Sequence, residues 1–170
     1  MPTPDPQLGA FEEFVEHRLG ALYRYAWVLT GNRHDAEDLV QEALTRTGAS
    51  WWRVRRKDDP EGYVRTAMVR IMSNRWRRSG REELTPDPPD LGAPDPGFER
   101  VTADAGLSAT LAGLPPRMRV VLALRYVEQL EDNEIASMLG CSPGTVRSQA
   151  SRALAKLRIA AATAEEDSRG

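Results

Sequence analysis

The side chains best placed for chemistry in this chain are hydrogen-bonding groups rather than bond-breaking ones. Val146, Ala150, Ala153, Leu154 and Leu157 recur at i, i+4, i+7, i+8 and i+11, the stripe of a helix lying on a core. With about 100° between successive residues, the other side carries Ser148, Ser151 and Arg152, flanked by Thr145, Arg147 and Gln149. Arg and Gln can bond base edges or phosphate oxygens, and the small Gly144, Ser148, Ser151 and Ala155 permit close approach to a duplex. A second set stands on the stretch 60–78. With Val64, Ala67, Met68, Ile71 and Met72 inward, Thr66, Arg70, Ser73 and Arg77 face out, with Asn74 and Arg78 beside them. Trp51, Trp52, Tyr63 and Trp76 lie in or next to this basic block, and aromatic rings among arginines can stack on unpaired bases. A third set is acidic: Asp38, Gln41, Glu42 and Thr45 point away from the inward Leu39, Val40 and Ala43. Such a face repels DNA and suits a basic protein surface.

Covalent catalysis has no comparable foothold. No glycine-rich phosphate loop, Ser/His/Asp set or pair of carboxylates in a pocket emerges, so the chain reads as a non-enzyme without a cofactor. His34 and Asp35 raise the question of a metal, but His17 is the one other histidine and no cysteine cluster accompanies them, so no metal site is expected. Cys141 is the single cysteine and cannot form an internal disulfide.

The elements that must carry these faces are helices throughout. Phe11, Phe14, Val15, Leu19, Leu22, Tyr23, Ala26 and Trp27 mark one amphipathic helix, stopped near Thr30 by Gly31. Asn32, as a helix cap, opens a second that runs to about Trp52. Asp59-Pro60 opens a third that ends near Ser79. Later helices are expected at about 105–112, 116–127, 132–139 and 143–160, the last opened by Ser142-Pro143. The short turn Gly140-Cys141 between the final two is that of a helix-turn-helix. Residues 84–97 hold five prolines and three aspartates and no hydrophobic period, the composition of a linker. The fold class is therefore all-α. Two small helical domains, 8–81 and 105–160, each with its own core, are joined by a Pro/Asp-rich linker over 82–104.

Charge follows the same division. The net charge of −2 is a sum of opposed blocks: −4 over 1–50, +7 over 51–81, −6 over 82–106, +3 over 107–158 and −2 over 159–170. The two basic blocks can bind phosphate by counterion release, and they are the blocks that carry the candidate readers. No apolar run approaches the roughly 18 residues of a membrane span, and the N-terminus lacks the pattern of a signal peptide, so a cytoplasmic location is expected.

Three motifs in order resemble a known family, the bacterial RNA polymerase sigma factors of the extracytoplasmic-function (ECF) group. Gly31-Asn-Arg-His-Asp-Ala-Glu-Asp-Leu-Val-Gln-Glu-Ala-Leu44 is similar to the family's polymerase-docking helix. Asp59-Pro-Glu-Gly-Tyr-Val-Arg65 through Arg78 is similar to its promoter-melting and minus-ten helix. Gly113 through Tyr126, followed by Glu134 through Ser148, is similar to its minus-thirty-five domain. The resemblance implies an initiation factor that binds core RNA polymerase, directs it to promoter DNA and assists opening. It implies that Asp38, Gln41 and Glu42 dock on the clamp helices of the largest polymerase subunit. It further implies that the 60–78 helix with the Ser79–Leu84 loop captures a flipped minus-ten base, and that Arg147, Ser148, Gln149, Ser151 and Arg152 face the minus-thirty-five element. An anti-sigma protein is the implied restraint. Two departures stand out: Glu131 replaces the common Ser or Thr cap, and Gln149 replaces a frequent basic residue.

A stand-alone helix-turn-helix regulator would share the last motif alone; it would bind palindromic duplex without polymerase and tolerate changes at Asp38 or Glu42. Arg152→Ala is expected to weaken minus-thirty-five recognition by about 1–3 kcal/mol if Arg152 grips a base edge. Binding measured across promoter variants checks this, since equal losses on every sequence would make it a phosphate contact.

Overall fold

The computed structural model describes residues 5–79 and 110–170. The linker expected at 82–104, nearly all of the Ser79–Leu84 loop and the start of the helix expected at 105–112 lie outside the described residues. Among the described residues there is no strand. The elements are α1 (Pro6–Thr30), α2 (Arg33–Ala49), α3 (Trp51–Val54), α4 (Pro60–Ser79), α5 (Pro116–Leu122), α6 (Asp132–Leu139) and α7 (Pro143–Arg169), with α5 running on into a π-helical segment, Ala123–Val127.

Local chemistry sets most of these starts. The Asp5 carboxylate accepts from the Gln7 N–H at 2.9 Å, so α1 begins at Pro6, earlier than the apolar pattern suggests. Asn32 Oδ1 accepts from the Asp35 N–H at 2.9 Å, and Asp59 Oδ1 from the Gly62 N–H at 2.9 Å. At α6, Glu131 is outside the helix and its backbone N–H donates to Glu134 at 2.9 Å, half of a capping box that compensates for the missing Ser or Thr.

Two further boundaries differ from the sequence expectation. The second helix ends at Ala49 rather than Trp52, because Ser50 leaves the helical region and re-aims the next turn. That turn buries Trp51 against Phe11 and Phe14, with ring centroids 5.3 and 4.8 Å apart. The last helix continues past residue 160 to Arg169, and beyond Leu157 it carries no buried side chain.

The core also departs from expectation. In place of two separate cores, one buried cluster runs from Leu22, Leu29, Leu39 and Met68 of the N-terminal unit to Val120, Leu124, Ile135 and Val146 of the C-terminal one. A smaller cluster of Leu114, Met118, Leu122 and Ala153 lies within the C-terminal unit. On α4 this requires a second buried stripe. Val69, outside the expected stripe, is fully buried one turn before Ser73, which meets Met138 of α6.

A cation lies within this junction. Arg119 of α5 is 3 % exposed and its guanidinium donates only to backbone carbonyls. Nε reaches Leu29 O at 3.3 Å and Nη2 reaches Thr30 O at 2.7 Å, while Nη1 bonds Ala112 O at 3.2 Å and also Leu114 O. Leu29 and Thr30 end α1, whose last carbonyls have no helical donor and carry the negative end of the helix dipole. Gly31 makes room: its φ of 77° closes α1 in the left-handed region, and a Cβ there would sit 2.9 Å from the Arg119 guanidinium carbon. Gly31→Ala is therefore expected to cost at least the roughly 1–2 kcal/mol of a left-handed non-glycine residue, with displacement of Arg119 added. Urea unfolding of the variant beside the parent protein gives the value.

Candidate nucleic-acid interface

The helix-turn-helix is built from α6 and α7. Gly140 ends α6 with φ 68°, and Ser142 then caps α7, its hydroxyl accepting from the Thr145 N–H at 3.1 Å. Val146, Ala150 and Ala153 are buried beneath α7. Thr145, Arg147, Ser148, Ser151 and Arg152 are exposed and Gln149 is half-buried, so all six expected readers are on or at the edge of one outer face. The Thr145 hydroxyl stands 3.0 Å from Ser142 Oγ, which ties it to the cap. Cys141, half-buried, packs against the core from the turn.

On α4, Arg70, Asn74, Arg77 and Arg78 are exposed. Ser73 is not: it is 3 % exposed, and its hydroxyl donates to Met138 O of α6 at 3.4 Å. The outward assignment of Ser73 from helical period is corrected here by the second buried stripe of α4, which ends at this residue. None of Arg70, Arg77, Arg78, Arg147 and Arg152 forms an ion pair with a described acid, leaving their charge available to phosphate. Arg77 does lie close to the turn of the helix-turn-helix; a Cβ on Gly140 would meet its Nη2 at 2.8 Å.

Beside α4 is a groove of about 600 Å³ lined by Arg46, Thr47, Lys57, Asp59, Gly62, Tyr63, Thr66, Ala67, Arg70 and Glu128. Its walls mix three cations with the Tyr63 ring, over which the Lys57 ammonium stands at 5.3 Å from the centroid. The aromatic residues of the basic block divide. Trp51 is core, at 5 % exposure; Trp52 is 53 % exposed with the Arg53 guanidinium 5.4 Å from its ring; Trp76 is half-buried under Arg117 at 5.5 Å.

The acidic face of α2 keeps Asp38 and Gln41 exposed and Glu42 half-buried. Asp38 stands 3.6 Å from His34, a pair that is ionic only when the imidazole is protonated. Glu42 is held by Arg46 at 2.7 Å and by Arg75 of α4. Sequence spacing shows the first of these partners, at i+4, but not the second, so the carboxylate is shared between α2 and α4.

Two residues that spacing alone did not single out join the units. Arg65 donates to Glu128 at 2.6 Å, to Glu61 at 2.9 Å and approaches Asp59 at 3.5 Å. Burial would weaken its proton affinity, but Glu128 first and then Glu61 and Asp59 hold its pKa above the usual arginine value. Tyr25, behind them, has its phenol pKa raised by burial and by Glu128. Among the described residues no three His, Cys, Asp or Glu side chains cluster as a metal site would need, and no helix is long and apolar enough to cross a membrane.

Comparison with known proteins covers most of this architecture. The family models for Sigma-70 region 2 and Sigma-70, region 4 match residues 14–82 and 105–157. The chain is 38 % identical to the RNA polymerase sigma-E factor of Streptomyces coelicolor over 87 % of its own length and 84 % of that protein's. It is 40 % identical to the sigma-E factor of Streptomyces avermitilis, over 87 % and 83 %. With the ECF RNA polymerase sigma factor SigE of Mycolicibacterium smegmatis it shares 35 % identity, covering 88 % of this chain and 60 % of that one. In fold it resembles the sigma factor RpoE of Bartonella quintana, crystallised with the anti-sigma factor NepR, at a TM-score of 0.56 and 22 % identity over 89 % of this chain and 96 % of that chain.

The division between the two adjacent tryptophans is open to measurement. Trp51→Ala is expected to cost about 3–5 kcal/mol of stability, whereas Trp52→Ala should stay within about 0.5 kcal/mol. Thermal unfolding of both variants checks it, and similar losses would show that the exposed ring is structural too.

Proposed function

The chain belongs to the sigma-70 family, in its ECF group of transcription initiation factors, and on that premise we propose how its surfaces divide the work. The unit 8–81 docks on core polymerase and reads and opens the minus-ten region, while the unit 105–160 reads the minus-thirty-five element. Asp38 and Gln41 make the exposed part of the docking face, and Glu42 joins it from its place between Arg46 and Arg75. Arg70, Asn74, Arg77 and Arg78 track the minus-ten strand, with Trp52 and Tyr63 as stacking platforms; Ser73 reaches DNA only once α4 parts from α6. Thr145, Arg147, Ser148, Gln149, Ser151 and Arg152 face the minus-thirty-five duplex. The observation that carries this reading is that both helices expose arginines that pair with no acid among the described residues, on faces otherwise made of small or hydrogen-bonding side chains.

The factor performs no covalent chemistry of its own; the polymerase holds the catalytic centre. It acts in the cytoplasm, with an anti-sigma protein as its restraint, as the Bartonella relative has in its crystal.

In vitro transcription with core polymerase and a promoter library tests the whole reading. Discrete start sites are expected with the factor present, and their absence would overturn it. Asp38→Lys combined with Gln41→Ala should lower affinity for core polymerase while leaving duplex binding intact; unchanged core affinity would remove α2 from the docking face.

A further inference from the structure

Five arginines stand on α4, and one of them is tied to the helix assigned to polymerase. Arg65 pairs with Glu128, Glu61 and Asp59, while Arg70, Arg77 and Arg78 pair with no acid among the described residues. Arg75 reaches across to α2 instead, where its Nη2 donates to Glu42 Oε2. The other oxygen of that carboxylate, Oε1, accepts from Arg46 Nη2 at 2.7 Å. Each oxygen thus has its own cation, and the two cations belong to different helices.

This arrangement changes the charge of the docking face. One acid with two guanidiniums leaves a local charge of +1 at Glu42, on a helix side that otherwise presents Asp38 and Gln41. A basic protein surface meets repulsion there unless one of the cations leaves. Arg46 is the poorer candidate, since it stands at i+4 from Glu42 on the same helix and stays beside the acid. Arg75 can leave. Its side chain is 45 % exposed and that of Glu42 34 %, so water screens the pair and no buried charge is stranded when it opens. At about 100° per residue, Arg75 lies about 60° from Arg78 around α4 and one turn before it, at the border of the face that carries Asn74 and Arg78. A swing of the side chain, with α4 fixed, takes its guanidinium from a carboxylate to a phosphate, and arginine binds both in the same bidentate way.

We infer that Arg75 is a further DNA-binding residue, paired with Glu42 in the free chain and passed to a phosphate of the minus-ten strand as polymerase takes the Glu42 carboxylate. This rests on the assignment of α2 to polymerase and α4 to DNA. The exchange takes place inside one helical unit and needs no helix to move. Each partner then helps the other: DNA that holds Arg75 leaves Glu42 to polymerase, and polymerase that holds Glu42 leaves Arg75 to DNA. Linkage requires the two effects on affinity to be equal.

Titration of the labelled full chain with core polymerase, with single-stranded DNA of mixed sequence, and with each in the presence of the other tests this. A phosphate contact reads no sequence, so the mixed strand suffices. Core polymerase also touches DNA, so the gain that DNA gives the parent is compared with the gain in each variant. Arg75→Ala should lose about fivefold of it, the lower end of usual couplings between sites. Glu42→Gln should release Arg75 without polymerase and steepen the salt dependence of DNA binding by the chain alone. The log–log slope should change by about 0.7, the value for one phosphate on a single strand. Arg75→Ala added to Glu42→Gln should reverse that change. Glu37→Gln removes an acid paired with Arg33 on the same helix, and so measures the effect of net charge alone. Equal steepening by Glu42→Gln and Glu37→Gln, or a gain in Arg75→Ala equal to the parent's, would overturn the exchange. If circular dichroism shows Arg75→Ala unfolded, Arg75→Gln decides in the same way. A parent chain that fails to bind polymerase or DNA removes the assignment of the surfaces, whereas binding of both that ignores changes at 42 and 75 removes the exchange alone.

Discussion

A guanidinium taken out of water must find acceptors or force its surroundings to move, and in this protein Arg119 finds four carbonyls. Burial lowers its pKa to about 10, Asp35 opposing the shift in part, so it remains a cation at neutral pH. Its position at the end of α1 makes use of carbonyls that a helix leaves without partners and of a dipole that favours positive charge. The junction of the two units depends on it. Gly31 must be a residue without Cβ, α1 must end where it does, and α5 must approach that end closely enough for the side chain to reach Leu29 and Thr30.

From that anchor the other contacts follow in register. With α5 set on α1, Val120, Ala123 and Leu124 join the cluster that holds Val69 and Met72 of α4. The π-helical turn after α5 carries the chain to Glu128, which meets Arg65. α6 then lies on α4, with Ser73 against Met138. The apolar contacts supply the bulk of the attraction between the units, and the polar ones select which faces meet.

Much of this was legible in the amino-acid order, because caps and turns are short-range. Asn32, Asp59-Pro60, Gly140 and Ser142-Pro143 each act within three or four residues, and the helices begin or end where these residues stand. The outer face of α7 was equally readable, since α5 and α6 together cover only its inner stripe and nothing described packs on the other side. What escaped was set by the meeting of segments distant in sequence. Val69 and Ser73 lie outside the first apolar stripe of α4, and only a second packing partner gives them a reason to be buried. Trp51 and Trp52 are adjacent and alike in composition, yet Ser50 turns one inward to Phe11 and Phe14 and leaves the other in solvent. Arg119 did leave a trace, a lone cation in the run Met118-Arg-Val-Val-Leu122, but nothing local names its partners.

Arg119 also hydrogen-bonds α1 through main-chain oxygen alone, which every amino acid possesses. The side chains at positions 29 and 30 can therefore drift, within the limits of their own packing, without removing the acceptors. Compensating pairs of substitutions would not be selected between those positions and 119, so correlated change across relatives would carry little mark of this contact. The contact instead constrains single positions: an arginine at 119 and, at 31, a residue with nothing beyond its α-carbon. A junction between domains can thus persist through divergence while remaining nearly silent in pairwise sequence statistics.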